Sequence, residues 1–443
     1  MRPRLLTLAW PLLAELLLGF GVGLAGLWLA SRESDTASAA FALSNHLQGT
    51  FFLLFRIISM GVSVVVAQSV GAGNRIEADR AARASLGAST WLGLAAGLVV
   101  FFFATPLLGL LNAPKAVLPL ALPYLHVLAL ALLLDAHNAV MASVVRAHMH
   151  TREVMLNILA MHALHLLLCF VLMPRMGLVG FAWAMVASRL VGLLIHLALW
   201  RWTLGLTHHV KDWFALRLAT LKPALHIGLP GAAENIAYRL AMLVSVGVVA
   251  GMGASELATH SYTAQVMTLI VLYSVAIGFA GEILVGHMVG AGQFRAAHRL
   301  VKKSLVVALV GSFLIAVAVA ATASFTLRLF TDDAHIIKTA GVLLWITVIL
   351  EPGRTCNIVI INALRAAGDA RFPVVVGAGS MLLVMAGGSW LLGVVFNLGL
   401  VGVWIAYAAD EWVRGIIMAL RWWRLGWVPA ARAAHRRVRK QGE

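Results

Sequence analysis

Val70-Gly71-Ala72-Gly73 is read a second time as Val289-Gly290-Ala291-Gly292, at an offset of 219 residues (289 − 70). The same offset carries Pro11 and Glu15, a Pro-x-x-x-Glu pattern opening an apolar run, onto Pro230 and Glu234. It also carries Asn138 and Arg146 onto Asn357 and Arg365. Gly177-Leu178-Val179-Gly180 returns as Gly399-Leu400-Val401-Gly402 at an offset of 222 (399 − 177), so three residues entered late in the second copy. Four landmarks in one order across nearly the whole chain mark an internal duplication. In membrane-embedded chains two homologous halves usually enclose a path between them, as parallel repeats do in transporters.

Composition agrees. With 61% hydrophobic and 12% charged residues and a mean hydropathy of +0.91, a soluble 443-residue chain would lack the polar surface to cover itself. Apolar stretches of roughly 20 residues or more are long enough to cross a bilayer. Twelve are present: 5–30, 38–68, 86–111, 117–145, 153–173 and 178–200, then 222–250, 256–287, 303–330, 336–363, 372–396 and 400–422. All-round apolarity with 40 Gly indicates helices packed through small residues, and the alternating strands of a barrel are missing. The expected fold is an all-α membrane protein, twelve transmembrane helices in two six-helix lobes related by a pseudo-two-fold along the membrane normal. Residues 1–200 form the first lobe, 201–221 an inter-lobe linker, 222–425 the second lobe and 426–443 a basic tail.

A net charge of +16 could signal a nucleic-acid binder, so its placement matters. The basic residues fall mostly in alternate loops: Arg2 and Arg4; Arg75, Arg80 and Arg83; Arg146 and Arg152; Arg201, Lys211, Arg217 and Lys222; Arg295, Arg299, Lys302 and Lys303; Arg365 and Arg371; and the tail from Arg421. That asymmetry is a topology signal, with both termini cytoplasmic and the bacterial inner membrane as the expected location. A nucleic-acid partner would need a folded basic domain, and Ala430–Glu443 is too short for one. Contact of Arg432, Arg436, Arg437, Arg439 and Lys440 with anionic lipid headgroups is the better use of the tail. The run from Leu5 to Ala30 is too long for a cleavable signal.

Chemistry-bearing motifs are scarce. Cys169 and Cys356 both lie inside expected spans and read as buried small hydrophobes. His208-His209 and His162-x-x-His165 lack the carboxylate or Cys partners of a metal site, so no metal or cofactor is expected. No nucleophile elbow, Walker loop or dinucleotide fingerprint occurs, so nothing indicates ATP hydrolysis and no enzyme is expected. Gly71-Ala72-Gly73 ends a span, and helix termination accounts for it without a phosphate. In the linker Thr207–Leu221, Val210, Trp213, Phe214 and Leu218 share a helical face, suiting a short interfacial helix; an irregular tether with hydrophobic anchors fits nearly as well.

The motif order over essentially the whole chain resembles the multidrug and toxic compound extrusion (MATE) family. The carrying residues are Gly228-Leu-Pro-Gly-Ala-Ala-Glu-Asn235, Val285-Gly-His-Met-Val-Gly-Ala-Gly292, Leu364-Arg-Ala-Ala-Gly-Asp369 and Gly402-Val-Trp404. The resemblance implies two six-helix lobes around a central cavity, alternating access, and export of organic cations driven by proton or sodium entry. It departs from the family where coupling is concerned. The region Val22–Trp28 carries no acid, and the span-ten aspartate of the NorM-like branch, eleven residues before the Leu-Arg arginine, falls on Arg354. Glu234 looks instead like a Pro-x-x-x-Glu-Asn branch distinct from the NorM-like one.

Candidate residues therefore come from burial, because an ionisable group at the bilayer centre costs at least about 2.5–3.5 kcal/mol. The acids are Glu15, Asp135, Glu234, Glu282, Glu351, Asp410 and Glu411; the bases are Arg56, Arg189, Arg239, Arg354 and Arg414. Glu351 and Arg354, and Asp410 and Arg414, are spaced for local ion pairs. Glu234, about a dozen residues into its span, has only Arg239 nearby, about 140° round the helix. Desolvation brings a carboxylate without a fixed counter-ion toward the range where it loads and releases a proton. Glu234 is thus the first choice for ion coupling, with Glu15 and Asp410 after it; Asn235, Tyr238, Glu282, Glu351, Arg354 and Asp135 are expected to line the substrate cavity. Asp135 and Arg354 are repeat-equivalent with opposite charge.

The leading function is a monomeric secondary antiporter for small cationic amphiphiles, coupled to protons or sodium and in contact with membrane lipids. One alternative is a flippase for a lipid-linked precursor, whose cavity should be basic. Another is a non-transport scaffold, which has no reason to keep buried charges in duplicated positions.

Overall fold

The computed structural model describes residues 5–440. Arg2 and Arg4, and the tail beyond Lys440, lie outside the described residues. All regular structure among the described residues is helical.

The first half runs α1 (Leu5–Glu33), α2 (Asp35–Gly71), α3 (Arg75–Leu110), α4 (Leu118–Ala147), α5 (Thr151–Met176) and α6 (Leu178–Ala198), the last prolonged by a π-helical turn to Thr203. After the one-turn α7 (Val210–Phe214) come α8 (Leu218–Ala250), α9 (Ala254–Gly290), α10 (Phe294–Ala321), the short α11 (Ala323–Leu327) and α12 (Ala334–Ala366). The eleventh span is built from α13 (Arg371–Ser380) and α14 (Gly387–Trp390) with π-helical turns at Met381–Ala386 and Leu391–Val395. It is followed by α15 (Gly399–Trp423) and α16 (Val428–Lys440). Eleven of these helices are long and apolar enough to cross a membrane. The twelfth, α15, is 25 residues long but carries Asp410, Glu411 and Arg414. The repeat is visible in the helix ends: α2 and α9 are both 37 residues, offset by 219 at either end.

The duplicated glycines have structural reasons. Gly73 (φ 75°) and Gly292 (φ 72°) follow the ends of α2 and α9 in the left-handed region, where a side chain is strained. Gly177 (φ 57°) and Gly399 (φ 58°) turn the chain before α6 and α15. Three residues on, a Cβ at Gly180 or Gly402 would lie 2.6 Å from the backbone of Leu172 or Leu392, so only glycine admits the preceding helix.

Packing divides the chain into two compact units. Among the described residues one is Ala14–Gly228; the other joins Leu5–Leu13 with the chain from Leu229 to Lys440. Each of α1 and α8 is thus shared, whereas the expected boundaries at 200 and 222 keep α1 whole and cut α8 four residues after its start. Glycine explains where α8 goes: a Cβ on Gly61 would sit 2.0 Å from the Ala224 carbonyl oxygen, and one on Gly228 would sit 1.9 Å from that of Ile57. The first turns of α8 and the middle of α2 therefore touch backbone to backbone. The first turns of α1 pack with Tyr273, Ala276 and Ile277 of α9 around an apolar groove.

The expected interfacial helix of the linker is a single turn. Asp212, buried, accepts from the His209 backbone N–H at 3.0 Å and pairs with Arg217 at 2.7 Å, closing the turn on itself. The backbone then becomes extended at Ala215. Trp213 packs on His137, while Val210, Phe214 and Leu218 stay exposed.

Candidate functional site

Two ion pairs repeat with the fold. In the first unit Arg146 Nη2 donates to Glu15 Oε1. In the second, Arg365 Nη2 donates to Glu234 Oε2 at 2.5 Å. Both acids and both bases are related by the 219-residue offset, and each arginine is the penultimate residue of its helix, α4 or α12. The Nε of each guanidinium is buried without a partner, so one contact, not a fork, holds each pair. Glu234 therefore does have a fixed counter-ion, contrary to the expectation from its own helix. The depth expected for it changes as well: it lies within an arginine's reach of one end of α12. Arg146 and Arg365, counted above as loop charges, are inside the bundle, with Arg365 only 7% exposed. Arg239, expected to be buried, is exposed.

A second equivalence is reversed in sign. Arg189 Nε lies 3.2 Å from Asp135 Oδ1, joining α6 to α4. At the matching positions Arg354 Nε lies 3.2 Å from Glu411 Oε1, joining α12 to α15. The offsets are 219 for 135 to 354 and 222 for 189 to 411. Asn138 and Asn357, one turn along, serve both: Asn138 donates to the Arg189 carbonyl at 2.9 Å, Asn357 to Glu411 Oε2 at 3.1 Å.

Around Arg354 the second unit builds a continuous polar cluster. Glu351 accepts from Arg354 at 2.8 Å, and Glu411 bridges Arg354 and Arg414, the latter at 3.0 Å. Asp410 takes Arg414 at 2.6 Å on one oxygen and the Ser380 hydroxyl at 2.6 Å on the other. Every charged member is buried, from Glu351 at 0% to Glu411 at 6% and Arg354 at 7% exposed. The two local pairs read from spacing both form. Counting members, three carboxylates (Glu351, Asp410, Glu411) meet two guanidiniums (Arg354, Arg414). The second oxygen of Glu351 is buried with no partner.

The first unit instead holds a chamber of about 520 Å³. Its polar lining comprises Glu15 and Arg146, Asp135 and Arg189, Asn45 and Gln48, Asn138, and His162, His165 and His196. Gln48 reaches Asp135 Oδ2 at 3.3 Å, and His196 Nδ1 meets Asn138 Oδ1 at 2.9 Å. His165 packs edge-on to Phe181 with centroids 4.6 Å apart. Among the described residues no group of three His, Cys, Asp or Glu is arranged to hold a metal.

The residues expected in one cavity therefore divide between two units. Glu15 and Asp135 line the chamber of the first. Glu234, Tyr238, Glu351, Arg354 and Asp410 belong to the second, where Glu282 is also buried, on α9. Asn235 is spent locally, donating at 2.8 Å to the Gly231 carbonyl of its own helix. The sequence reading missed Arg146 and Arg365 as partners. The signal was available: a Glu and an Arg 131 residues apart recur together in both halves.

Duplicated six-helix halves, each with buried ion pairs inside an apolar bundle, define a polytopic transporter. A model of the MatE family matches residues 11–171 and again 230–390, the second match displaced from the first by the same 219 residues. The chain belongs to the MatE (MATE) family. Among curated relatives, the uncharacterized transporter YisQ of Bacillus subtilis is 34% identical over 430 residues, covering 96% of this chain and 94% of YisQ. The probable multidrug resistance protein NorM of Thermotoga maritima is 25% identical over 461 residues, covering 100% of this chain and 96% of NorM. Among solved structures, a MATE in its bent conformation superposes with a TM-score of 0.86 at 20% identity, over 97% of this chain and 96% of that one. An outward-facing multidrug resistance MATE of the MOP superfamily gives 0.86 at 21% identity, over 96% of each chain. The protein is a multi-pass membrane transporter of this family.

Proposed function

We propose that the chain is a secondary antiporter that exports cationic amphiphiles by alternating access, driven by protons entering the cell. The observation that carries the reading is the cluster of three carboxylates and two guanidiniums on α12 and α15. An unbalanced charge taken out of water costs several kcal/mol, so a monovalent cation belongs with this cluster. A proton suits it better than sodium. A dehydrated hard cation needs several free oxygens at once. Here both oxygens of Asp410 and both of Glu411 already accept hydrogen bonds, and Glu351 alone offers an unpartnered one. Asp410 supplies the carboxylate beyond two neutral bridges and is the leading coupling residue, with the unpartnered Glu351 oxygen as the place for the proton and Glu234 and Glu15 as acids whose arginine partners must exchange during the cycle.

Cargo is assigned to the first-unit chamber, whose volume lies within the range of small-molecule sites. Glu15 and Asp135 supply negative charge there when their arginines move away. Two carboxylates against two arginines is not the basic surplus that a phosphate-carrying flippase needs. The asymmetry of basic loops supports a bacterial inner-membrane protein with both termini cytoplasmic.

The test is uptake of a cationic dye into proteoliposomes under an imposed pH or sodium gradient. Dye accumulation should follow the proton gradient, vanish with an uncoupler and fail in Asp410→Asn, which should still exchange dye for dye. Transport that survives the uncoupler but stops when sodium is removed overturns proton coupling.

A further inference from the structure

The basic tail, expected to touch anionic headgroups, is a docked helix as far as Lys440. α16 buries Ala431, Ala434 and Val438, one every three or four residues, against its own unit. His435 Nδ1 donates to the Gly290 carbonyl at 2.7 Å, in the turn between α9 and α10. Trp427, fully buried, stacks on Trp422 with centroids 4.3 Å apart and meets Phe294 at the start of α10. On the other side Gly368, in the turn between α12 and α13, faces Ala430 and Ala434, with room for nothing much larger than a Cβ. Beside that turn Arg421 pairs with Asp369 at 3.0 Å and lies over the Phe372 ring. One short helix thus touches both turns at this end of the second unit.

Its apolar face is used up by protein, so α16 has none left to insert into a bilayer as a free amphipathic helix would. The opposite face carries Arg432, Arg436, Arg439 and Lys440, all exposed. On a helix of 3.6 residues per turn these four fall within an arc of about 100°. Residues 428–440 contain no acid. No ion pair holds any of the four among the described residues. The helix follows a four-residue turn after the end of a spanning helix, next to Trp423 and Leu425, both more than 40% exposed. Exposed aromatics at the end of a span sit at headgroup level. A cationic face held at that depth by a protein anchor complements an anionic lipid surface.

We propose that α16 is a lipid-reading clamp: its basic face binds the headgroups of anionic phospholipids, and its apolar face passes that binding to the α9–α10 and α12–α13 turns. Nothing in this depends on the coupling ion or the cargo.

The full-length protein in nanodiscs of phosphatidylcholine, with or without phosphatidylglycerol, provides the test. Native mass spectrometry should find phosphatidylglycerol retained over phosphatidylcholine, less so at high salt. Replacing Arg432, Arg436, Arg439 and Lys440 together by Gln should cut that preference about tenfold or more, since each basic residue near such a surface contributes roughly fivefold. A variant with the three arginines changed to Lys should keep it, which separates charge from misfolding of the tail. Hydrogen exchange in residues 286–294 and 366–372 should slow on adding phosphatidylglycerol in the wild type but not in the Gln variant. Equal lipid retention by wild type and Gln variant overturns the site, and unchanged exchange overturns the clamp. Tighter binding of a duplex oligonucleotide than of phosphatidylglycerol overturns the lipid as occupant.

Discussion

Glu234 and Arg365 offer the sharpest test of whether the buried pairs hold the second unit together. Both side chains are at most 10% exposed, and a single contact joins them. Glu234→Gln keeps shape but strands the Arg365 charge in the bundle. Removing one partner of a buried pair costs about 3–5 kcal/mol, against at most about 1 kcal/mol for an exposed pair. For a unit of some two hundred residues each kcal/mol moves the midpoint by roughly 2–4 °C, so the apparent melting temperature should fall by about 10 °C. Glu234→Gln with Arg365→Gln removes both charges and should recover most of that loss, giving a large coupling energy in the double-mutant cycle. The repeat twin, Glu15→Gln, should cost less, because Glu15 and Arg146 are 17% and 22% exposed. Scanning fluorimetry in detergent at several scan rates measures this and guards against irreversible unfolding. A Glu234→Gln midpoint within about 2 °C of wild type, or a double variant less stable than both singles, would refute the reasoning. The double variant also isolates function, because a loss of export that remains after stability returns belongs to the carboxylate and not to folding.

Two further outcomes follow from the packing and the charges. Gly61→Ala and Gly228→Ala, each driving a Cβ to about 2 Å from a carbonyl oxygen, should destabilise the first unit by roughly 1–3 kcal/mol or more, whereas Gly109→Ala, with nothing within 4 Å, should stay near wild type in the same melting assay. Asp135→Arg alone should place two buried cations together with Arg189 and abolish expression, but Asp135→Arg with Arg189→Glu should restore folded protein on size exclusion; no rescue would mean the contact is incidental.

Nearly all of the architecture could be read from the chain, because a spanning helix announces itself by length and apolarity and a duplication by its offset. The twelve expected stretches correspond to the observed spans, most within a few residues. The exceptions are physical. α3 starts at Arg75 and α10 at Phe294, eight or more residues before their apolar runs, because Arg80 and Arg83, or Arg299, Lys302 and Lys303, ride on helix that projects beyond the apolar stretch. Depth along a helix does not depend on its sequence alone, which is why Arg146 and Arg365 were read as loop charges. The linker helix stops after one turn because Asp212 spends its oxygens on His209 and Arg217 at either end of it. Glu234 was read against its own helix, where Arg239 points away, while its partner comes from α12. Side-chain partners across helices are tertiary facts, and the offset of 219 was the one feature of the sequence able to disclose them.

The reversed pair explains how two copies of one fold can diverge in electrostatics while keeping their geometry. A single charge change at either position leaves an uncompensated ion in the bundle, so a step such as Asp to Arg at the α4 or α12 site is strongly destabilising until the second site follows. Once both have changed, the bridge has the same length, 3.2 Å, and the same role between the same two helices. The surroundings then determine what each polarity is good for. In the first unit Ser188 and Gly192 stand where the second has Asp410 and Arg414, so its pair is isolated and borders a chamber. In the second unit those two added charges, together with Glu351 on Arg354, extend the pair into a closed cluster with one carboxylate to spare. Replacing Glu351, Asp410 and Arg414 by their first-unit counterparts Leu, Ser and Gly (Leu132, Ser188 and Gly192) should therefore leave Arg354–Glu411 as an isolated, neutral bridge. Such a variant should remain folded yet lose proton-driven accumulation, while a variant that still accumulates dye along a pH gradient would move coupling away from α15 and back to Glu234 or Glu15.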